Sequence, residues 1–408
     1  RMPSFSSIPE ATMKFALVAL YALAAGTDAA KFSARSSLRP KGGKQSLMEV
    51  DSDRDDSLPS FYHSTQEIHD ELKKLSETCE GMTLSSASQT SFSEGRSITI
   101  DTVKIRAEGA QARNKVFLLF GEHARELISA ESGLHFVRKL CSGDARAQQA
   151  LQKNEFMMVI NGNPDSRRKV EQGDWCVRMN PYNVDLNRNW DEHWEAAPDM
   201  DDTNSGKMPF SEPETQIFKR LVTEYKPTTF LTIHSGTLGM YMPWAFDMVH
   251  LADRNQKEMM EILTEVDKEH CQCPFGAAGK EVGYSCPGTC LDYVFDQLQT
   301  PYAFAYEIYV GQGREELKQR WNEKMESQRG SYLQAHSHLA DDHFKDIFED
   351  YPSSFVQVNS THSSEQLLSW DCFALYNPGT EDEYQQTVEN WALAYLDTAD
   401  KVAEKLAL

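Results

Sequence analysis

The sequence predicts an α/β fold with a mixed, largely parallel central sheet flanked by helices. Two observations carry that prediction. Short apolar runs of strand character alternate with segments of helical periodicity, the order that builds a largely parallel or mixed sheet. In addition, His123, His234 and Glu307 all fall at or just beyond the end of such a run, and sheets of this kind bind ligands at the carboxyl ends of their strands.

The elements follow in chain order. Met13-Lys14, the short apolar run Phe15 to Ala25 and small residues through Ala30 have the form of a secretory signal, too short to span a bilayer. Residues 1–12 are then upstream sequence. Residues 31–57 are basic, then acidic and Ser-rich, without apolar periodicity, as in a disordered linker or short pro-segment. From Ser64 to Leu75, Ile68, Leu72 and Leu75 recur at helical spacing. Ile98 to Ile105 alternates as a strand, and Val116 to Phe120 is a buried one. A helix is expected from Leu127 to Leu140 and a core strand from Phe156 to Ile160. Ser211-Glu-Pro-Glu predicts a helix start with a capping box and a proline in the first turn. Strands are expected at Phe230 to Ile233 and Tyr302 to Ile308. The last helix is capped at Thr380 to Glu383 and continues through Trp391 to Leu406. Residues 311–370 are polar and rich in charge and His, and are expected to form a surface insertion; Asn359-Ser-Thr within them is a glycosylation sequon.

The composition excludes some classes. With 408 residues, 40% hydrophobic and 25% charged, the chain is an ordinary globular protein. A net charge of -21 argues against nucleic-acid binding. Beyond the signal no long apolar run exists, so no membrane span is expected in the mature chain. The acidity is compatible with a secreted or vacuolar-lysosomal protein, and the even count of eight cysteines favours a secreted one. Cys271, Cys273, Cys286 and Cys290 cluster beside His270. Disulfides are the preferred reading of the cluster, and a structural zinc site is the alternative.

The chemistry starts at Phe117-Leu-Leu-Phe-Gly-Glu-His-Ala-Arg-Glu. His123 and Glu126, three apart at the mouth of a strand, can both turn toward one Zn²⁺. His362 and Glu365 share the spacing, but they sit among serines with no strand before them and are expected in a solvated loop. His234, at the end of Phe230-Leu-Thr-Ile, is the natural third ligand, leaving one open position at which zinc activates water. Asp185 is a candidate to orient a ligand histidine. Glu307 lies in the apolar run Ala303-Phe-Ala-Tyr-Glu-Ile-Tyr. A carboxylate there is costly unless paired or working, so it is either a general base or half of a buried ion pair. Arg178 and Arg188 bracket a segment dense in Asn, and arginine's fork suits a carboxylate.

Taken together, Gly121-Glu-His-Ala-Arg-Glu, Val184-Asp-Leu-Asn-Arg-Asn-Trp, Phe210-Ser-Glu-Pro-Glu-Thr, Ile233-His-Ser and Phe304-Ala-Tyr-Glu resemble, in the same order, the motifs of the zinc carboxypeptidase family, the carboxypeptidase A-like metallopeptidases. The resemblance covers most of residues 60–310 and the final helix, and Glu307-Ile-Tyr is similar to plant and protist members. It implies a catalytic domain over 58–408 that binds one zinc per chain on His123, Glu126 and His234, with Glu307 as general base. It implies that Arg178 polarises the scissile carbonyl, that Asn187 and Arg188 clamp the substrate's terminal carboxylate, and that Tyr284 closes over substrate. Arg125 is similar to a subsite arginine, and Leu291 falls where the family reads the terminal side chain. Substrates would be peptide or protein C-termini, and a monomer is expected. An apolar Leu291 argues against a dedicated preference for Lys or Arg ends. Two alternatives stand beside this reading: a zinc amidase acting on cell-wall peptides or acyl-amino acids, and a non-catalytic binding protein on the same fold.

Overall fold

Ser64 stops the incoming chain and starts the first helix. Its hydroxyl accepts the Glu67 N–H, while the Glu67 carboxylate accepts the Ser64 N–H, so two otherwise orphaned donors are satisfied reciprocally. The structure, a computed structural model, describes residues 58–91, 95–197, 203–311 and 369–407. The expected signal, linker and sequon, the His362/Glu365 pair and nearly all of the expected insertion lie outside the described residues.

The elements are α1 (Thr65–Thr78), β1 (Met82–Thr90), β2 (Ser97–Ile105), β3 (Asn114–Phe120), α2 (Leu127–Cys141), α3 (Ala145–Lys153), β4 (Asn154–Val159), α4 (Pro164–Val170), α5 (Pro213–Tyr225), β5 (Thr229–His234), β6 (Leu238–Met242), α6 (Gln256–Val266), β7 (Phe275–Ala277), α7 (Ala278–Val282), α8 (Cys290–Asp296), β8 (Tyr302–Ile308), α9 (Ser369–Tyr376) and α10 (Glu381–Lys405). The eight strands form one sheet in the order β1-β2-β4-β3-β5-β8-β6-β7. Its centre, β4-β3-β5-β8, is parallel. The β1–β2, β2–β4 and β6–β8 pairs are antiparallel. The sheet is therefore mixed with a parallel core, as expected.

Helices cover both faces. Phe117 stacks on Phe230 and faces Tyr225 of α5. Phe120, three residues on and so on the opposite face, packs edge-on to Tyr395 of α10. Gly133 of α2 lies so close to the Phe120 ring that a Cβ there would sit 2.9 Å from Cγ. That close approach explains a glycine in mid-helix despite its cost in helix propensity.

Two local expectations need correction. The helix after Ser211 is not closed by a capping box: Glu212 is its N-cap, with no side-chain cap bond of its own. Asn189, distant in sequence, substitutes. Its Oδ1 accepts the Glu212 N–H at 3.2 Å and the Thr215 hydroxyl at 2.7 Å, so Ser211 is released to donate to Glu212 Oε1. The cysteine cluster is not wholly disulfide-bonded either. Cys271 pairs with Cys273, while Cys286 and Cys290 are buried free thiols. His270 is turned away from these cysteines, to Asp397 and Asn390. Two further bridges, Cys79–Cys141 and Cys176–Cys372, tie α1 to α2 and α9 to the loop before Arg178. Among the described residues, no helix is long and apolar enough to cross a membrane.

Candidate metal centre and substrate site

Three adjacent parallel strands deliver the site. β3 ends at Phe120, and Gly121 turns the chain out of the sheet with φ 70°. Only glycine adopts that conformation freely, and a Cβ there would press to 3.2 Å on Gly162 N. His123 follows. Beside β3, β5 ends at His234, and beside β5, β8 places Glu307 in register with His234. Residues far apart in sequence thus meet at one carboxyl edge.

His123, Glu126 and His234 are buried, and each offers a ligand atom within 4.8 Å of the others. Glu126, the N-cap of α2, reaches both histidines: Oε1 is 2.7 Å from His123 Nδ1, and Oε2 is 3.1 Å from His234 Nδ1. The outward nitrogen of each histidine is also held. His123 Nε2 lies 3.0 Å from Asp185 Oδ1, and His234 Nε2 lies 2.8 Å from Thr232 Oγ1. Two Nδ1 atoms and a carboxylate converging in this way, with both imidazoles oriented from behind, are a donor set that fits zinc.

Asp185 has a second task. Its Oδ2 accepts Arg178 Nε at 3.0 Å and Nη2 at 2.8 Å, while Arg178 Nη1 lies 3.6 Å from Glu126 Oε1. Burial works against charge on Asp185, but Arg178 and His123 overcome it and hold the carboxyl well below the usual range. Burial likewise opposes charge on Glu126, and the two histidines hold its carboxyl well below its ordinary value. For Glu307 burial wins: its carboxyl is pushed up, against the pull of the His234 charge and with Glu126 adding to the rise.

Burial would lower His234, but the neighbouring Glu122 and Glu126 carboxylates outweigh it and push it up to about 10. Those carboxylates favour the protonated imidazole, with which a metal ion would compete. Zinc uptake near neutrality is expected to release protons. Calorimetric titration in buffers of different ionisation enthalpy measures this; heats independent of the buffer would contradict it.

The remaining expected residues fall around this centre. Asn187 Nδ2 lies 3.4 Å from His234 Nε2, and its Oδ1 accepts the Cys290 N–H at 3.0 Å. Arg188 is buried, with Nη1 donating to Asn187 O at 2.7 Å. Tyr284 is half exposed in the loop after α7, and Leu291 is buried in α8. Gly288 seats this loop on the Arg188 backbone, where a Cβ would clash at 2.3 Å with Arg188 O. Arg125 lies over the Tyr376 ring at 4.2 Å.

Sequence reasoning missed two contributors. Asn377, just after α9, receives the Ile128 N–H at 3.0 Å and donates to Arg125 O at 2.9 Å, while Tyr376 O accepts the Ser235 hydroxyl at 2.8 Å. This distant segment fastens the loops that carry Glu126 and His234, and no local pattern announces it. Thr232 was detectable, because two residues before His234 on a strand puts it on the same face.

The fold and the site define the class: an α/β protein with a His–Glu–His zinc cradle at the carboxyl edge of its sheet. The chain belongs to the zinc carboxypeptidase family, whose model matches residues 68–327. It is 27% identical over 273 residues to zinc carboxypeptidase A 1 of Anopheles gambiae, covering 60% of this chain and 60% of that protein. It is 26% identical over 274 residues to carboxypeptidase A1 of Sus scrofa, covering 60% and 62%. The chain thus spans 60–62% of the length of these relatives. In structure it is similar to thrombin activatable fibrinolysis inhibitor, with a TM-score of 0.61 at 18% identity over 84% of this chain and 75% of that one. It is also similar to carboxypeptidase A of Helicoverpa armigera, with a TM-score of 0.53 at 20% identity over 71% and 78%. These two are likenesses of fold.

Proposed function

We propose that this protein is a zinc-dependent metallocarboxypeptidase that hydrolyses the C-terminal peptide bond of peptides and proteins. The observation that carries the reading is the register of His234 against Glu307 on neighbouring strands, which sets an unliganded carboxylate beside the metal cradle. His123, Glu126 and His234 would hold the ion. When bound, zinc supplies a Lewis acid that activates water and polarises the scissile carbonyl.

The chain's own residues do the rest. Glu307 Oε2 has no hydrogen-bond partner among the described residues. It takes the proton of the attacking water and passes one to the leaving amine. Arg178, aimed by its two bonds to Asp185, is placed to stabilise the developing oxyanion. Arg188 and Asn187 bind the substrate's free carboxylate, and Tyr284, on its exposed loop, closes over it. Arg125 contacts the residues upstream of the scissile bond, and Leu291 lines the pocket for the terminal side chain. Three disulfides support a secretory destination, extracellular or vacuolar-lysosomal.

The test is release of C-terminal amino acids from a mixed peptide pool, with and without a zinc chelator. Chelator-sensitive release is expected, together with loss of turnover when the same peptides carry C-terminal amides, because an amide offers Arg188 no carboxylate. Equal cleavage of the amidated peptides would defeat the exopeptidase reading.

A further inference from the structure

Glu122 stands between Gly121, which follows β3, and the first metal histidine. It is buried, 1% exposed. Its Oε2 accepts the Thr232 hydroxyl at 2.8 Å and lies 3.4 Å from His234 Nε2. The same hydroxyl is 2.8 Å from His234 Nε2. A threonine hydroxyl has one proton. Given to the carboxylate, that proton leaves the oxygen lone pairs facing His234, so Nε2 is the donor and Nδ1 is left for the metal. Asn187 Nδ2, 3.4 Å from that nitrogen, is then a neighbour and not a partner.

The remaining contacts agree. The Cys290 thiol donates to Glu122 Oε2 at 3.4 Å, and burial followed by the Glu122 charge pushes that thiol well up, so it stays protonated. Glu122 Oε1 has no hydrogen-bond partner among the described residues. Every polar contact of this carboxylate thus runs through the oxygen facing His234. A buried carboxylate that served packing alone would be outdone by a hydrocarbon side chain. The arrangement instead parallels Asp185 behind His123.

We propose that Glu122 is a positioning residue that, through the Thr232 hydroxyl, fixes the Nε2–H tautomer of His234 and aims its Nδ1 at the metal. Each metal histidine is then held by its own buried carboxylate, directly for His123 and through a hydroxyl for His234. The inference rests on the zinc-site reading above.

The experiment compares the native protein with Glu122→Gln, Thr232→Val and Thr232→Ser. Zinc affinity is measured by competition with a chromophoric chelator, and the visible spectrum of the cobalt-substituted proteins reports the ligand field. Glu122→Gln and Thr232→Val are expected to weaken zinc about 10–100-fold, the usual loss when a partner behind a metal ligand is removed, and to shift the cobalt bands. Thr232→Ser, which keeps the hydroxyl, is expected to behave as native. Native-like affinity and cobalt spectra in both Glu122→Gln and Thr232→Val would overturn the proposal. If Glu122→Gln does not fold, Thr232→Val against Thr232→Ser decides the matter alone. Failure of the native protein to take up zinc would instead overturn the metal-site reading, and this inference with it.

Discussion

Replacing Glu307 by glutamine is expected to cut kcat by about 10²–10⁴-fold, the usual contribution of a general base, while zinc content stays at the native level. The physical case is specific to this carboxylate. It is displayed at the end of β8 opposite His234, yet it is absent from the His123–Glu126–His234 ligand cluster. Burial raises its affinity for a proton, which suits a group that must collect one and return it. Glutamine preserves shape and removes basicity. Because Oε2 has no hydrogen-bond partner among the described residues, the substitution breaks no bond there. Turnover and zinc stoichiometry are to be measured on the same preparation. Native kcat in the variant would remove Glu307 as base, and loss of zinc would make it a metal-site residue.

Removing the Glu131 carboxylate is expected to cost stability heavily. This side chain, fully buried in α2, accepts the His63 N–H at 3.0 Å, Arg167 Nη2 at 2.9 Å and the Tyr384 hydroxyl at 2.8 Å, and lies 2.7 Å from His63 Nδ1. It thereby joins the entry to α1, α2, α4 and α10. Breaking a buried ion pair by deleting one partner costs about 3–5 kcal/mol. Glu131→Ala is expected near the lower end, because Glu171, 3.2 Å from Arg167 Nε, still compensates the cation. Chemical denaturation checks it, and a loss below about 1 kcal/mol, the scale of an exposed pair, would show that the network is not stabilising.

The same network sets a pH window. Burial would raise the Glu131 carboxyl, but His63 and Arg167 hold it below its ordinary 4.5. The Glu131 hydrogen bond outweighs burial and raises His63 above 6.5. A depressed carboxyl stabilises above its unfolded value and stops doing so as pH falls through the folded one. A raised histidine stabilises below 6.5 and stops as pH rises through its folded value. The contribution of the cluster is therefore complete between about pH 4.5 and 6.5, and the native-minus-Glu131→Ala stability difference should peak there. A difference that grew steadily toward alkaline pH would contradict the assignment.

Local sequence alone determined a good deal. Apolar patterning located α1, α2 and the central strands β2, β3, β4, β5 and β8, because such segments bury one face or both and their composition records it, while helix-start signals located α5 and α10. The His123–Glu126–His234 cluster was legible because His123 and Glu126 lie within one turn and His234 ends an apolar run. Spacing could not reveal that β3, β5 and β8 lie side by side. That adjacency brings three distant residues to one edge, and it is fixed by the packing of helices on both faces. Tertiary structure also decided the partners of buried polar groups. Asn189 caps α5 in place of Ser211, Asn377 ties down the Ile128 N–H from 249 residues away, and the Thr232 hydroxyl contacts both Glu122 and His234. The same holds for the cysteines, of which Cys271 and Cys273 pair while Cys286 and Cys290 stay free. A donor's identity is written in the sequence, but its acceptor depends on which backbones the folded sheet brings within hydrogen-bond reach.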